Sequence, residues 1–201
     1  MRVGRKSISN LPYYECRDQE DVDMSIRAAE PADAKAIAKV HIQTWQSSYA
    51  GIVPAEFLAS LSYQNREAWW VDILEAKQSS MCSFVADVEG EGVVGFAGAG
   101  PESDGDRIYL AELYMIYVLQ SYQRRGFGRR LFSAVTERLI LDGFPSMLLW
   151  VLQDNRSACR FYEALGGKKI REKTIEIGGV DLVEVAYGWK DLTTLIDACE
   201  A

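Results

Sequence analysis

The sequence predicts an α/β chain in which amphipathic helices alternate with strands and at least two strand pairs fold back as antiparallel hairpins. Three features carry that prediction. Apolar runs broken by glycine turns lie at Cys82 to Ala99 and at Lys169 to Trp189, and an almost wholly apolar run spans Ile108 to Val118. Between them, apolar residues recur at three- and four-residue steps, the spacing that gives a helix one buried face. With 201 residues, 48% of them hydrophobic, the chain can bury one sizeable core. One domain is expected over residues 25–192, with residues 1–24 as an N-terminal extension that follows no clear period and residues 193–201 as a C-terminal tail.

In order along the chain, Met24 precedes a first strand beginning Ser-Ile-Arg-Ala. Pro31, whose fixed φ suits a helix opening, starts a helix with Ala34, Ile37, Ala38, His41 and Trp45 on one face. A turn at residues 49–54 leads to helical patches at Ala55 to Leu61 and Arg66 to Leu74, the second carrying Trp69 and Trp70. Cys82 to Val88 and Val93 to Ala99 flank the turn Glu89-Gly90-Glu91-Gly92, a hairpin signal. After a polar loop, Ile108 to Val118 reads as a central strand covered on both faces. The following helix shows Leu131, Val135 and Leu139 at four-residue steps and ends at Gly143 and Pro145. Met147 to Leu152 is a further strand, and Ala158, Phe161, Tyr162 and Leu165 stripe a short helix stopped by Gly166-Gly167. Gly178-Gly179 joins two last strands, Lys169 to Ile177 and Leu182 to Trp189.

A formal charge of −7 argues against a nucleic-acid partner and leans toward cationic ones such as amines. Cys16, Cys82, Cys159 and Cys199 lack the close pairs of a zinc site and His41 is the one histidine, so no metal is expected. The thiols read as reduced and the protein as cytoplasmic, with no membrane span and no signal peptide.

The segment that carries chemistry is Gln123-Arg124-Arg125-Gly126-Phe127-Gly128, set between an apolar strand and a helix. Gly126 and Gly128 lack a β-carbon, which allows a tight turn and close approach of backbone to a ligand. At the helix start several N–H groups are unpaired and the dipole favours an anion, a cradle suited to a pyrophosphate; Arg124, Arg125, Arg129 and Arg130 add positive charge. A Walker loop is excluded because Arg129 and Arg130 stand where it needs Lys and Ser or Thr, and a dinucleotide fingerprint because no third glycine follows. A purely structural turn stays open.

Gln-x-x-Gly-x-Gly after Leu113-Tyr114-Met115-Ile116-Tyr117-Val118 resembles the central motif of the GNAT superfamily of N-acetyltransferases. The run from Asn155 to Gly166, with its Asn, its Phe161-Tyr162 pair and its closing glycine, is similar to that family's strand-to-helix motif. The resemblance covers nearly the whole chain beyond residue 24. It implies the GNAT fold, a central mixed, mostly antiparallel six- to seven-stranded sheet flanked by helices. It also implies direct attack of a small-molecule or peptide amine on acetyl-CoA, whose pyrophosphate would lie on Gln123 to Arg129 and whose pantetheine arm would pair with backbone of Ile116, Tyr117 and Val118. A homodimer formed through strand edges is compatible with it.

The same resemblance gives Tyr162 the role of general acid toward the leaving sulfur, against the plain reading of Tyr162 as half of an aromatic core stripe with Phe161. Asn155 either contacts the cofactor or caps the helix. Some relatives carry a glutamate on the fifth strand, where this chain has Trp150. That leaves Glu112 as the candidate base, with a paired surface carboxylate as its alternative, and leaves a non-catalytic acyl-CoA-binding module as the rival function. Trp45 and Tyr49 would line the acceptor pocket, or Trp45 would pack the core, whereas His41 reads as packing.

Overall fold

The computed structural model describes residues 24–76 and 80–195. Seven strands form one mixed sheet: β1 (Met24–Ala28), β2 (Cys82–Val88), β3 (Gly92–Pro101), β4 (Ala111–Val118), β5 (Met147–Leu152), β6 (Lys168–Ile177) and β7 (Val180–Trp189). They are arranged β1-β2-β3-β4-β5-β7-β6, with β4 and β5 the single parallel pair. The helices are α1 (Ala34–Ser48), α2 (Ala55–Ala59), α3 (Tyr63–Glu75), α4 (Phe127–Leu141) and α5 (Arg156–Ala164). None of them is long and apolar enough to cross a membrane. The expected extension before residue 24, and Cys16 and Cys199 with it, lie outside the described residues.

The sheet's two faces bury different clusters. Ala111, Leu113, Met147, Leu149 and Val151 point toward α4 and α5, meeting Leu131, Val135, Cys159 and Tyr162. On the other face Val85, Phe96 and Tyr117 meet α1 and α3 around the fully buried Trp70. Leu152, Tyr49, Val53 and Leu58 form a third cluster under α2. Trp69, next to Trp70, is exposed, because neighbours on a helix point about 100° apart.

Three local expectations change. The strand expected from Ile108 opens only at Ala111: the Asp106 carboxylate accepts the amides of Ile108 and Tyr109 at 2.7 and 2.9 Å, and Ser146 Oγ accepts that of Leu110. Those donors are spent on a turn, and Ile108 and Leu110 stay exposed although apolar. The helix expected from Arg66 begins at Tyr63, because the Ser62 hydroxyl caps it by accepting the Asn65 amide at 3.3 Å. The strand expected to be covered on both faces, β4, is only half-buried over Tyr114 to Tyr117, and its neighbour β3 is the more deeply buried strand.

Candidate active site

The half-burial of β4 has a direct cause. β4 pairs with β5 only through Ala111 with Met147 and Glu112 with Leu148, and beyond these the two strands part. A bulge helps turn β4 away: Gly98 faces Met115 while Ala99 faces Leu113, so Tyr114 is the extra residue. The Leu119 amide donates to the Val94 carbonyl at 2.9 Å, one step beyond the facing pair Gly95 and Val118. Since antiparallel bonding alternates along a strand, Tyr117 spends its backbone groups on β3, and those of Ile116 and Val118 face the opening. The Val118 carbonyl is capped there by the Gln123 side-chain Nε2, which donates to it at 3.0 Å. A strand edge is thus laid open inside the sheet.

The chain leaving β4 passes a short 3-10 turn at Gln120–Tyr122 and reaches α4 through two left-handed residues, Arg124 at φ 64° and Gly126 at φ 87°. Gly126 is the N-cap of α4 and no side chain caps the helix. The first intrahelical bond runs from the Arg130 amide to the Gly126 carbonyl, so the amides of Phe127, Gly128 and Arg129 precede it and lack an intrahelical acceptor. The exposed Arg124, Arg125 and Arg129 surround this end. The two glycines differ in purpose. Gly126 supplies the left-handed turn, with open space where a β-carbon would stand, whereas a β-carbon on Gly128 would lie 3.3 Å from Phe161 Cζ. Gly128 therefore lets α4 and α5 close together, a role the motif alone did not distinguish from contact with a ligand.

From the α5 side, Asn155 is the N-cap, its side-chain oxygen accepting the Ala158 amide at 3.2 Å. The far end of α5 is tied to β7 by Trp189 Nε1 on the Leu165 carbonyl at 2.9 Å, and by Tyr187 Oη on Glu163 at 2.7 Å. Between these anchors Tyr162 is buried, its ring 5.3 Å from that of Phe161 and 6.1 Å from that of Tyr187. Burial, with the nearby Tyr117 and Cys159, raises its phenol well above the ordinary value, which keeps it protonated. Packing and a protonated phenol thus coexist in one side chain.

On the opposite face of the opening, Trp45 Nε1 donates to Tyr117 Oη at 3.0 Å, and the Tyr49 ring stands edge-on to Trp45 at 5.0 Å. The Tyr49 phenol is raised by burial and by its neighbour Tyr117, to which it also hydrogen-bonds. His41 stacks on Tyr117 at 5.1 Å, and burial pushes its imidazole down to about 3, so it is neutral packing, as expected. Glu112 sits where β4 and β5 begin to part. Burial first, then Asp104 and Glu102, raises its carboxyl, and the Ser103 hydroxyl is 3.5 Å away. No ion pair holds it among the described residues. Trp150, on β5, lies beneath two cations, Lys173 Nζ at 3.9 Å and Arg171 at 5.3 Å from its ring centre. Two groups escaped the sequence reading: the phenol of Tyr117, which had been assigned only a backbone role, and Glu184 on β7, which burial raises beside Lys173.

The family model for the acetyltransferase (GNAT) family matches residues 41–167. The chain belongs to the GNAT acetyltransferase family. It is 40% identical over 172 residues to the N-acetyltransferase YuaI of Bacillus subtilis, covering 86% of this chain and 96% of that protein. It is also 26% identical over 173 residues to an L-methionine sulfoximine/L-methionine sulfone acetyltransferase of Salmonella typhimurium, covering 85% and 91%. Among solved structures, the PaiA N-acetyltransferase of Thermoplasma acidophilum, in complex with coenzyme A, aligns with TM-score 0.67 at 20% identity over 84% of this chain and 99% of its own. YncA of Salmonella typhimurium, solved with acetyl-CoA, aligns with TM-score 0.63 at 25% identity over 83% and 93%. The chain is accordingly an acetyltransferase with the GNAT fold.

The cap assigned to Asn155 has a measurable consequence. Asn155→Ala is expected to lower stability to urea by ~1 kcal/mol, and Asn155→Asp to retain most of it. Equal stability of wild type and the alanine variant would remove the capping role.

Proposed function

We propose that this acetyltransferase moves the acetyl group of acetyl-CoA to the primary amine of a small molecule or peptide, by direct attack in a ternary complex. The observation that carries the reading is the parting of β4 from β5 beside the uncapped start of α4. The amides of Gly126 to Arg129, with Gln123, Arg124, Arg125 and Phe127 around them, hold the pyrophosphate, because unpaired N–H groups at a helix N-terminus bind anions. The pantetheine arm lies along β4 as an added strand on the exposed backbone of Ile116 and Val118, passing Tyr117, whose own backbone groups are spent on β3. Relatives named for phosphinothricin and methionine sulfoximine support a small amine as acceptor.

In the reaction the amine forms a C–N bond with the thioester carbonyl, a β4 amide near Ile116 stabilises the oxyanion, and the C–S bond breaks. Tyr162 donates its phenolic hydrogen toward the departing sulfur. With the phenol raised by burial, complete transfer to a thiolate of lower pKa is uphill, so its hydrogen bond carries most of the effect. Glu112 takes, through water, the proton the ammonium loses before attack, a task helped by its raised pKa. The second proton, released by the nitrogen once the C–N bond has formed, passes to the departing sulfur to give the free thiol. Trp45 and Tyr49 form the wall against which the acceptor rests.

Calorimetry tests the cofactor reading: acetyl-CoA is expected to bind in the micromolar range and ATP not to bind, and the reverse order would remove it. Tyr162→Phe is expected to lower kcat roughly ten-fold or more with acetyl-CoA affinity retained, at or just below the usual acid–base range; an unchanged kcat returns Tyr162 to packing alone. Glu112→Gln is expected to slow the reaction most from mildly acidic to neutral pH. In that range the wild-type carboxylate is ionised while the amine is still protonated, and the deficit should shrink as alkaline pH deprotonates the amine. A wild-type to variant ratio that stays flat across pH excludes Glu112 as the base.

A further inference from the structure

Glu184 is the acidic group that the reaction above leaves unused. It lies on β7 directly opposite Leu152, the last residue of β5, and directly opposite Lys173 of β6. Leu152 belongs to the cluster with Tyr49, Val53 and Leu58, against which Trp45, Phe57 and Tyr117 also pack. Glu184 therefore stands at the edge of the aromatic wall assigned to the acceptor, on the face of the sheet away from α4 and α5. The phenols of both Tyr49 and Tyr117 feel its charge, whereas Glu112 is raised first by burial and then by Asp104 and Glu102, with Lys173 opposing them.

We propose that Glu184 binds the ammonium group of the acceptor, selecting cationic amines over uncharged molecules of the same shape. This rests on the acetyltransferase reading and supplies its acceptor subsite.

The plain alternative is a cross-strand ion pair with Lys173, and the structure makes that pair a weak one. Lys173 Nζ is 3.7 Å from Glu184 and 4.0 Å from Asp104, and it also stands 3.9 Å from the centre of the Trp150 ring. One ammonium is thus shared among two carboxylates and an aromatic face. The Glu184 side chain is only 19% exposed, while that of Lys173 is 38% exposed. Burial outweighs what the lysine returns, and the net effect is a carboxyl raised above its ordinary range. A buried carboxylate that its own partner compensates only in part gains from a second cation. An incoming ammonium would meet that charge with aromatic rings on one side, a setting that favours a cation carried on an apolar body.

The same balance distinguishes the two carboxylates in function. Glu112 pairs with Leu148, four residues along β5 from the Leu152 that Glu184 faces, so it receives the ammonium's proton through water and its loss falls on kcat. Glu184 lies at the end of β5 and acts on acceptor binding, so its loss falls on the acceptor KM. Lys173 competes for the same carboxylate, which makes it a brake on acceptor affinity.

The experiment compares 2-phenylethylamine with 2-phenylethanol, an uncharged molecule of similar shape, binding to the full chain saturated with coenzyme A. Wild type is expected to prefer the amine at least ten-fold, Glu184→Gln to lose that preference while binding the alcohol as before, and Glu184→Asp to keep part of it. Lys173→Met is expected to bind the amine at least two-fold more tightly than wild type. An unchanged affinity of Glu184→Gln for coenzyme A shows that the variant is folded. Absence of a preference in wild type, or the same preference in Glu184→Gln, overturns the proposal. Both results are read without turnover, so they are separable from failure of the parent reading, which would show as no binding of acetyl-CoA and no acetyl transfer to any amine.

Discussion

Backbone hydrogen-bonding groups that the fold leaves unpaired are the constraint from which the rest of this site follows. A sheet normally uses every interior N–H and C=O, and a helix start is normally capped. Here β5 abandons β4 after Glu112, and α4 begins at a glycine with no capping side chain. The two unpaired stretches are joined by a short connection, so a single extended ligand with an anionic group can satisfy both. The Val118 carbonyl, an acceptor that an anion would not welcome, is covered by the Gln123 side chain.

The opening is kept by packing on each side. Phe161 against Gly128 fixes the gap between α4 and α5, and Trp189 and Tyr187 hold α5 on β7 so that Tyr162 stays buried between them. Across the sheet, Trp70 at the centre of its cluster seats α3 against α1, and α1 carries Trp45 to its bond with Tyr117. A sheet that splits in the middle would lose interior contacts, and the clusters on its two faces replace them. The two faces of the sheet are thus separate packing units that meet at the gap between β4 and β5.

Most of the architecture was legible in the sequence because hairpin glycines and apolar periodicities report local geometry directly. The Glu89–Gly92 and Gly178–Gly179 turns, the α4 stripe and the left-handed Gly126 are all local facts. What was not legible depended on distant partners. Ile108 and Leu110 read as strand because they are apolar, but Asp106 and Ser146 claimed their amides. Tyr117 was read for its backbone, since nothing near it in sequence shows that Trp45 would reach its phenol. Glu184 sits in an apolar-polar alternation that any half-buried strand shows, and only the register that sets it opposite Leu152 and Lys173 gives it meaning.

The central claim is that unpaired backbone of β4 and α4 holds acetyl-CoA, and a crystal structure of the complex tests it most directly. The account predicts pyrophosphate oxygens within about 3 Å of the amides of Gly126 to Arg129, the pantetheine arm along Ile116 and Val118, and the sulfur facing Tyr162. A cofactor bound elsewhere, or an opening between β4 and β5 that stays empty at saturating acetyl-CoA, would contradict it.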